Sequence, residues 1–107
     1  MSIETLLNKP NVTRVKFTPE YSVVCSVGKR PFAGVIEIEF APDVYLLEFI
    51  SFEEWLHGLW GSEMTIEDLA RVTFDKLTEV LGDIPLRVAV HARTTVHAPA
   101  CAIIERS

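Results

Sequence analysis

From Thr65 to Gly82 the apolar residues Ile66, Leu69, Ala70, Thr73, Leu77 and Leu81 fall on one face of a 3.6-residue period, and the rest of the chain has to cover that stripe. Thr65 followed by Asp68 supplies the N-cap pattern, and Gly82 supplies the stop. A helix with one apolar face folds only against another layer, so the remaining segments must provide it. A second, shorter helix is predicted just upstream. Ser51 with Glu54 fits a capping box, and Phe52, Trp55, Leu56, Leu59 and Trp60 follow at helical spacing as far as Gly61.

The flanking segments read as strands. Val15 and Phe17 alternate with Arg14 and Lys16 within Val12 to Phe17, and Tyr21 to Val27 carries Cys25 near its end. The run Gly28-Lys29-Arg30-Pro31 then breaks the chain. In Phe32 to Phe40, Ile36, Ile38 and Phe40 oppose Val35, Glu37 and Glu39. After the Pro42-Asp43 turn, Val44 to Phe49 is predicted to return beside it as a hairpin. Leu86, Val88, Val90 and Ala92 alternate with Arg87, Ala89, His91 and Arg93, and a last strand is expected over Cys101 to Arg106. Strands, two helices, strands, with short connections, predict an α+β fold: an antiparallel sheet with both helices on one face. At 107 residues and 49% hydrophobic, residues 1–107 suit a single domain with a core that needs no disulfide.

A net charge of −5, with Lys29-Arg30 the only adjacent basic pair, argues against a surface that neutralises many phosphates, so charge lends no support to a nucleic-acid partner such as tRNA. The positive mean hydropathy leaves apolar surface to cover and predicts a homo-oligomer. Charged residues interrupt every apolar run, so no membrane span is expected, and the start Met1-Ser2-Ile3-Glu4 lacks a basic, apolar leader. Cys25 and Cys101 have no metal-ligand spacing, which suits a reducing, cytoplasmic setting.

Cys25 is the strongest chemical candidate. A thiolate is a nucleophile, and Lys29 and Arg30 would favour it if the turn folds back; the same residue also reads as a small buried hydrophobe at a strand end. Glu67, in the first turn of the long helix, is favoured there by the helix dipole alone, or accepts two N–H bonds from a guanine-like ring edge. His57, His91 and His97 show no metal-binding spacing, and Trp55 and Trp60 read as core or subunit contacts. Glu37 and Glu39 read as a solvated strand face or one covered by another subunit. Gly28 and Gly34 are isolated and do not form a phosphate loop or a dinucleotide fingerprint.

Phe17-Thr18, Cys25, Pro31, Pro42-Asp43, Glu48, Ser51, Trp55 and Glu67 together resemble the 7-cyano-7-deazaguanine (preQ0) nitrile reductase family, QueF, and its archaeal QueF-like archaeosine synthase branch. Cys25, Pro31, Pro42-Asp43, Glu48 and Glu67 fit that pattern without a gap. The resemblance implies a tunnelling fold: ββααββ subunits closed into a ring-shaped barrel, a pentamer or stacked decamer, with a purine-like ring bound between subunits. It implies that Cys25 attacks the nitrile to give a thioimide, and that Glu67 and Glu48 bind the substrate, with Cys25 and Glu67 coming from adjacent chains. The thioimide is then reduced by NADPH in one branch, or displaced by ammonia in the other to give an amidine on tRNA.

Three departures narrow this. Phe32 stands where the family carries its proton-donating acid, and Ile66 replaces a histidine before the ring-gripping glutamate. In Glu48-Phe49-Ile50-Ser51-Phe52-Glu53-Glu54-Trp55 both lysines of the reductase signature are gone, one replaced by a carboxylate, which repels a phosphorylated dinucleotide. The expected reaction is therefore amidine-forming, without a cofactor, with water, His91 or His97 as the substitute acid. Two other readings stand beside it: a non-catalytic tunnelling-fold oligomer, and an enzyme of the pterin or GTP cyclohydrolase type.

Overall fold

The computed structural model describes residues 2–94 and 98–107. Seven strands and two helices follow one another as β1 (Thr5–Leu7), β2 (Val15–Phe17), β3 (Glu20–Val24), β4 (Pro31–Phe40), β5 (Tyr45–Leu47), α1 (Phe49–His57), α2 (Ile66–Leu81), β6 (Leu86–Thr94) and β7 (Ala100–Arg106). The main sheet is antiparallel throughout. Strand β4 lies between β6 and a broken partner made of β2 and β3, and β7 forms the far edge beyond β6. If β2 and β3 count as one strand interrupted at Thr18-Pro19, the strands of the main sheet and the two helices follow in the order ββααββ that the resemblance implies, with β1 and β5 outside it.

Alternation sorts the sheet into two faces. Ile36, Ile38, Phe40, Leu86, Val88 and Val90 point to the helices and are buried with Phe52 and Leu56 of α1 and Leu69, Ala70, Phe74 and Leu77 of α2. The long helix matches its prediction. Thr65 Oγ1 accepts from the Asp68 amide at 3.1 Å, the Asp68 carboxylate accepts from the Thr65 amide at 3.2 Å, and Gly82 ends the helix at φ 88°. Its last turn carries no basic residue of its own. Arg106 of β7 supplies the cation, donating to Ile84 O, Thr78 Oγ1 and Gly82 O while lying over the Phe74 ring.

Two expectations are corrected. The predicted hairpin between residues 32–40 and 44–49 does not form: β5 turns away and pairs with β1, in register Thr5 to Leu47, as a separate two-stranded ribbon. The chain before Val12 gave no strand signal, since three residues are too few for alternation to register, yet β1 supplies the partner. The cap of α1 is Glu48 rather than Ser51. Ser51 lies one turn inside the helix, where its hydroxyl accepts from the Glu4 amide at 2.9 Å and so ties β1 to the helix. Helix α1 also ends at His57, leaving Trp60 in the following turn, half exposed and edge-on to His57. Among the described residues no helix is long and apolar enough to cross a membrane.

Candidate functional site

Cys25 sits one residue beyond β3, at the start of a tight return to β4. Its amide donates to Arg30 O at 2.9 Å, its carbonyl accepts from the Lys29 amide at 2.8 Å, and its Sγ accepts from the Gly28 amide at 3.3 Å. The turn closes because Lys29 takes a left-handed conformation, φ 58°, which a side chain with a Cβ adopts at some cost. The turn therefore does fold back on the thiol. Of the two expected cations, Lys29 does not follow it, because its Nζ pairs with Glu63 Oε1 at 3.0 Å.

Glu63 belongs to the connection between the helices, a segment with no periodicity of its own. Gly61 donates to Ser22 O, Val24 donates to Ser62 O, and Met64 donates to Val24 O, at 2.9 to 3.0 Å. The connection thus runs as a short parallel bridge along the outer edge of β3. Gly61-Ser62-Glu63-Met64 has neither alternation nor β-branching, so only the tertiary pairing reveals it. Its consequence is positional: Met64 is bonded beside Val24, so Cys25 and the first turn of α2, with exposed Glu67, border the same corner of one chain.

The side of this corner towards the core is apolar. Phe32 is opposite Val23 in the β3–β4 register, is 8% exposed, and meets Tyr21 edge-on at 5.9 Å. Met64, Ile66 and Cys25 itself are partly buried against the same core. Tyr21 is buried deeply enough for its phenol pKa to rise to about 12, with the Cys101 charge adding to that, and it donates to His91 O at 2.9 Å.

Glu48 lies apart from this corner. Its Oε2 accepts from Ile50 N at 2.7 Å and its Oε1 from Ser51 N at 2.9 Å, and these two backbone bonds, that of Ser51 first, hold its carboxyl below the usual range. The nine residues of α1, about 13 Å of helix, separate it from the connection that meets β3. Its carboxylate already serves α1.

Of the two histidines expected as substitute acids, only His91 is among the described residues. His97 lies outside the described residues. His91 is on the helix-free face of the sheet, where its Nε2 contacts both Glu37 Oε1 and, at 3.7 Å, Cys101 Sγ. Burial raises the Cys101 thiol, Arg87 nearby opposes this, and Glu37 adds to it. Strand order places His91 between the other two, so the three donors are strung in a row rather than around a point. Among the described residues no group of three such side chains is arranged to hold a metal ion. An open cavity of about 370 Å³ lies at the far end of the sheet near Phe40 and Leu86, but its Arg14, Arg87 and Arg106 are engaged by Glu39, Glu105 and the end of α2.

No family model matches the chain, and no curated protein matches it. Among solved structures, the crystal structure of an archaeosine synthase, QueF-Like, in its apo form superposes with a TM-score of 0.81 at 18% identity, covering 88% of this chain and 93% of that one. The two share a fold over nearly their whole lengths.

Proposed function

We propose that this chain, built on the fold of that archaeosine synthase structure, is a QueF-family protein of 7-deazaguanine metabolism that binds a deazaguanine or similar purine-like ring beside Cys25. The observation that carries the proposal is the pairing of β3 with the connection between the helices, which brings the thiol and the Glu67 turn to one corner. In this reading Glu67 accepts the N–H pair of the ring edge. The Cys25 thiolate adds to the nitrile carbon: a C–S bond forms, one C–N π bond opens, and the nitrogen takes a proton to give a thioimide. Ammonia then adds to that carbon and the thiolate leaves, giving an amidine, so no electron donor is required.

The sheet has β7 at one edge and β2 with β3 at the other, which suits closure of several copies, edge to edge, into a ring whose next subunit walls the corner. A pentamer or decamer in a cytoplasmic setting belongs to this proposal. Net charge gives tRNA no support as the ligand, so the proposal is made for the ring itself.

Incubation with preQ0 followed by intact-mass measurement tests the reading. A stoichiometric adduct that disappears in Cys25→Ala, with weakened binding by calorimetry in Glu67→Gln, is the expected result. No adduct and no binding would overturn it. The second reading, a non-catalytic oligomer, draws on Phe32 being core and Lys29 being held by Glu63. It requires an inert thiol, so rapid selective alkylation of Cys25 at neutral pH counts against it.

A further inference from the structure

Lys29 combines a strained backbone with a paired side chain. Its backbone is left-handed at φ 58°, a conformation that glycine adopts freely and a lysine adopts only with strain. Glycine at this position would close the same turn at lower cost. The side chain is also committed, its Nζ meeting the Glu63 carboxylate at 3.0 Å across the gap between the Cys25 turn and the connection into α2. The two segments are already joined next door by the Val24 bonds to Ser62 and Met64. The ion pair lies one step further out, where the backbone pairing ends and Cys25 begins.

We propose that Lys29 and Glu63 form a positioning clamp, which holds the Cys25 turn against the connection leading into α2 so that Sγ and the Glu67 turn address one ligand. The clause about the ligand rests on the function proposed above; the clamp itself does not. Both partners are more than half exposed, so the pair contributes little to global stability, and solvent screening limits it to a local effect. A local effect is sufficient here. The clamp opposes the peeling of four connection residues from an edge strand, an opening that occurs far below global unfolding.

Lys29→Gly separates the alternatives. It relieves the backbone strain while removing the charge, so a residue with a merely structural role would give a variant at least as stable and otherwise unchanged. The clamp predicts equal or higher thermal stability together with a two- to fivefold rise in amide exchange over residues 22–30 and 61–66. Lys29→Met should raise exchange similarly, and Lys29→Arg should preserve protection. The exchanged pair Lys29→Glu with Glu63→Lys should restore it. With preQ0, the rate of Cys25 adduct formation at subsaturating ligand should fall by a similar factor in Lys29→Gly and recover in the exchanged pair. Unchanged exchange in both Lys29→Gly and Lys29→Met would overturn the clamp. Raised exchange with an unchanged adduct rate would overturn its role in positioning. Failure of the wild-type protein to form any adduct would sink the proposed function, and the exchange data would still decide the clamp.

Discussion

Replacing Phe32 with aspartate would restore, on paper, the acid that the QueF family carries at this position, and the structure says the substitution should damage the fold rather than repair the site. Phe32 is 8% exposed, lies on the core face opposite Val23, and packs edge-on against Tyr21, itself 1% exposed. Emptying a site of this kind costs about 3–5 kcal/mol in lost burial and cavity formation. A carboxyl placed there without a partner adds about 1–3 kcal/mol and would be held protonated. The sum, roughly 4–8 kcal/mol, rivals the whole stability of about 5–15 kcal/mol expected for a small domain. Urea unfolding followed by far-UV circular dichroism at fixed protein concentration reads this directly. At a slope of about 1.5 kcal/mol per molar, the midpoint should fall by roughly 3–5 M or the variant should fail to fold. Phe32→Leu, which keeps most of the volume, should lose only about 1–1.5 kcal/mol. An aspartate variant within about 1 kcal/mol of wild type would show that residue 32 faces the ligand rather than the core.

Gly34→Ala should be at least as damaging, because a Cβ there would stand 1.8 Å from His91 O and 2.9 Å from His91 C, backbone atoms fixed in the β4–β6 ladder; Gly28→Ala, whose Cβ would meet only Cys25 Sγ at 3.9 Å, is the tolerated control in the same urea assay. With the Tyr21 phenol at about 12 against an unfolded value near 10, stability attributable to it is complete below pH 10 and is lost as pH rises towards 12. The loss is on the order of 2–3 kcal/mol, and Tyr21→Phe should abolish that alkaline limb in denaturation measured across pH. Glu48 behaves oppositely: its lowered carboxyl stabilises the fold above the usual glutamate pKa and stops doing so as pH falls through its folded value, so Glu48→Gln should flatten the acid side of the melting-temperature profile. His91→Gln should leave the preQ0 adduct rate within about twofold of wild type, since that side chain is on the helix-free face with Glu37; a tenfold loss would make His91 the acid.

Much of the fold was legible because it rests on periodicity and caps. The Thr65–Asp68 box, the stripe of α2 and the alternation of β4 and β6 each state their own structure, and the α+β order follows. The ribbon was not legible, since pairing β5 with β1 rather than β4 is decided by where Ser51 and Glu48 anchor Glu4. The α1 cap was misplaced for a related reason: serine is the commoner cap, but Glu48 reaches two amides at once. Cys25 and Glu67 stand out as candidates by residue type and by the spacing that the resemblance rests on. Their shared corner does not, because it depends on a bridge through residues with no strand pattern. The Lys29 cation was assigned to the thiol since the two are neighbours in sequence, whereas Glu63 is nearer in space.

The start of α1 bears on which of the QueF family's two reactions the proposed function should follow. A helix N-terminus offers unpaired amides and a positive dipole end to a phosphate, and lysines on its first turns would strengthen the attraction. Here Glu48 fills the amides of Ile50 and Ser51 with its own carboxylate, and that carboxyl stays ionised to a lower pH than usual because of them. The two positions that carry lysine in the reductase signature present Ile50, 71% exposed, and Glu53. An incoming dinucleotide phosphate would meet an occupied cap, an exposed apolar side chain and a second carboxylate, each of which opposes binding. The features around Cys25 point the same way. On its core side Met64 and Ile66 are partly buried and Glu67 is exposed in the next helical turn; in the proposed function the first two suit the flat face of an uncharged heterocycle and Glu67 suits that ring's N–H edge. Two ends of one helix pair thus have opposite characters: one opposes phosphate, and the other, in the proposed function, takes a neutral ring. Addition of the thiol to a nitrile followed by displacement with ammonia uses only the second, so the proposed function is amidine formation rather than reduction.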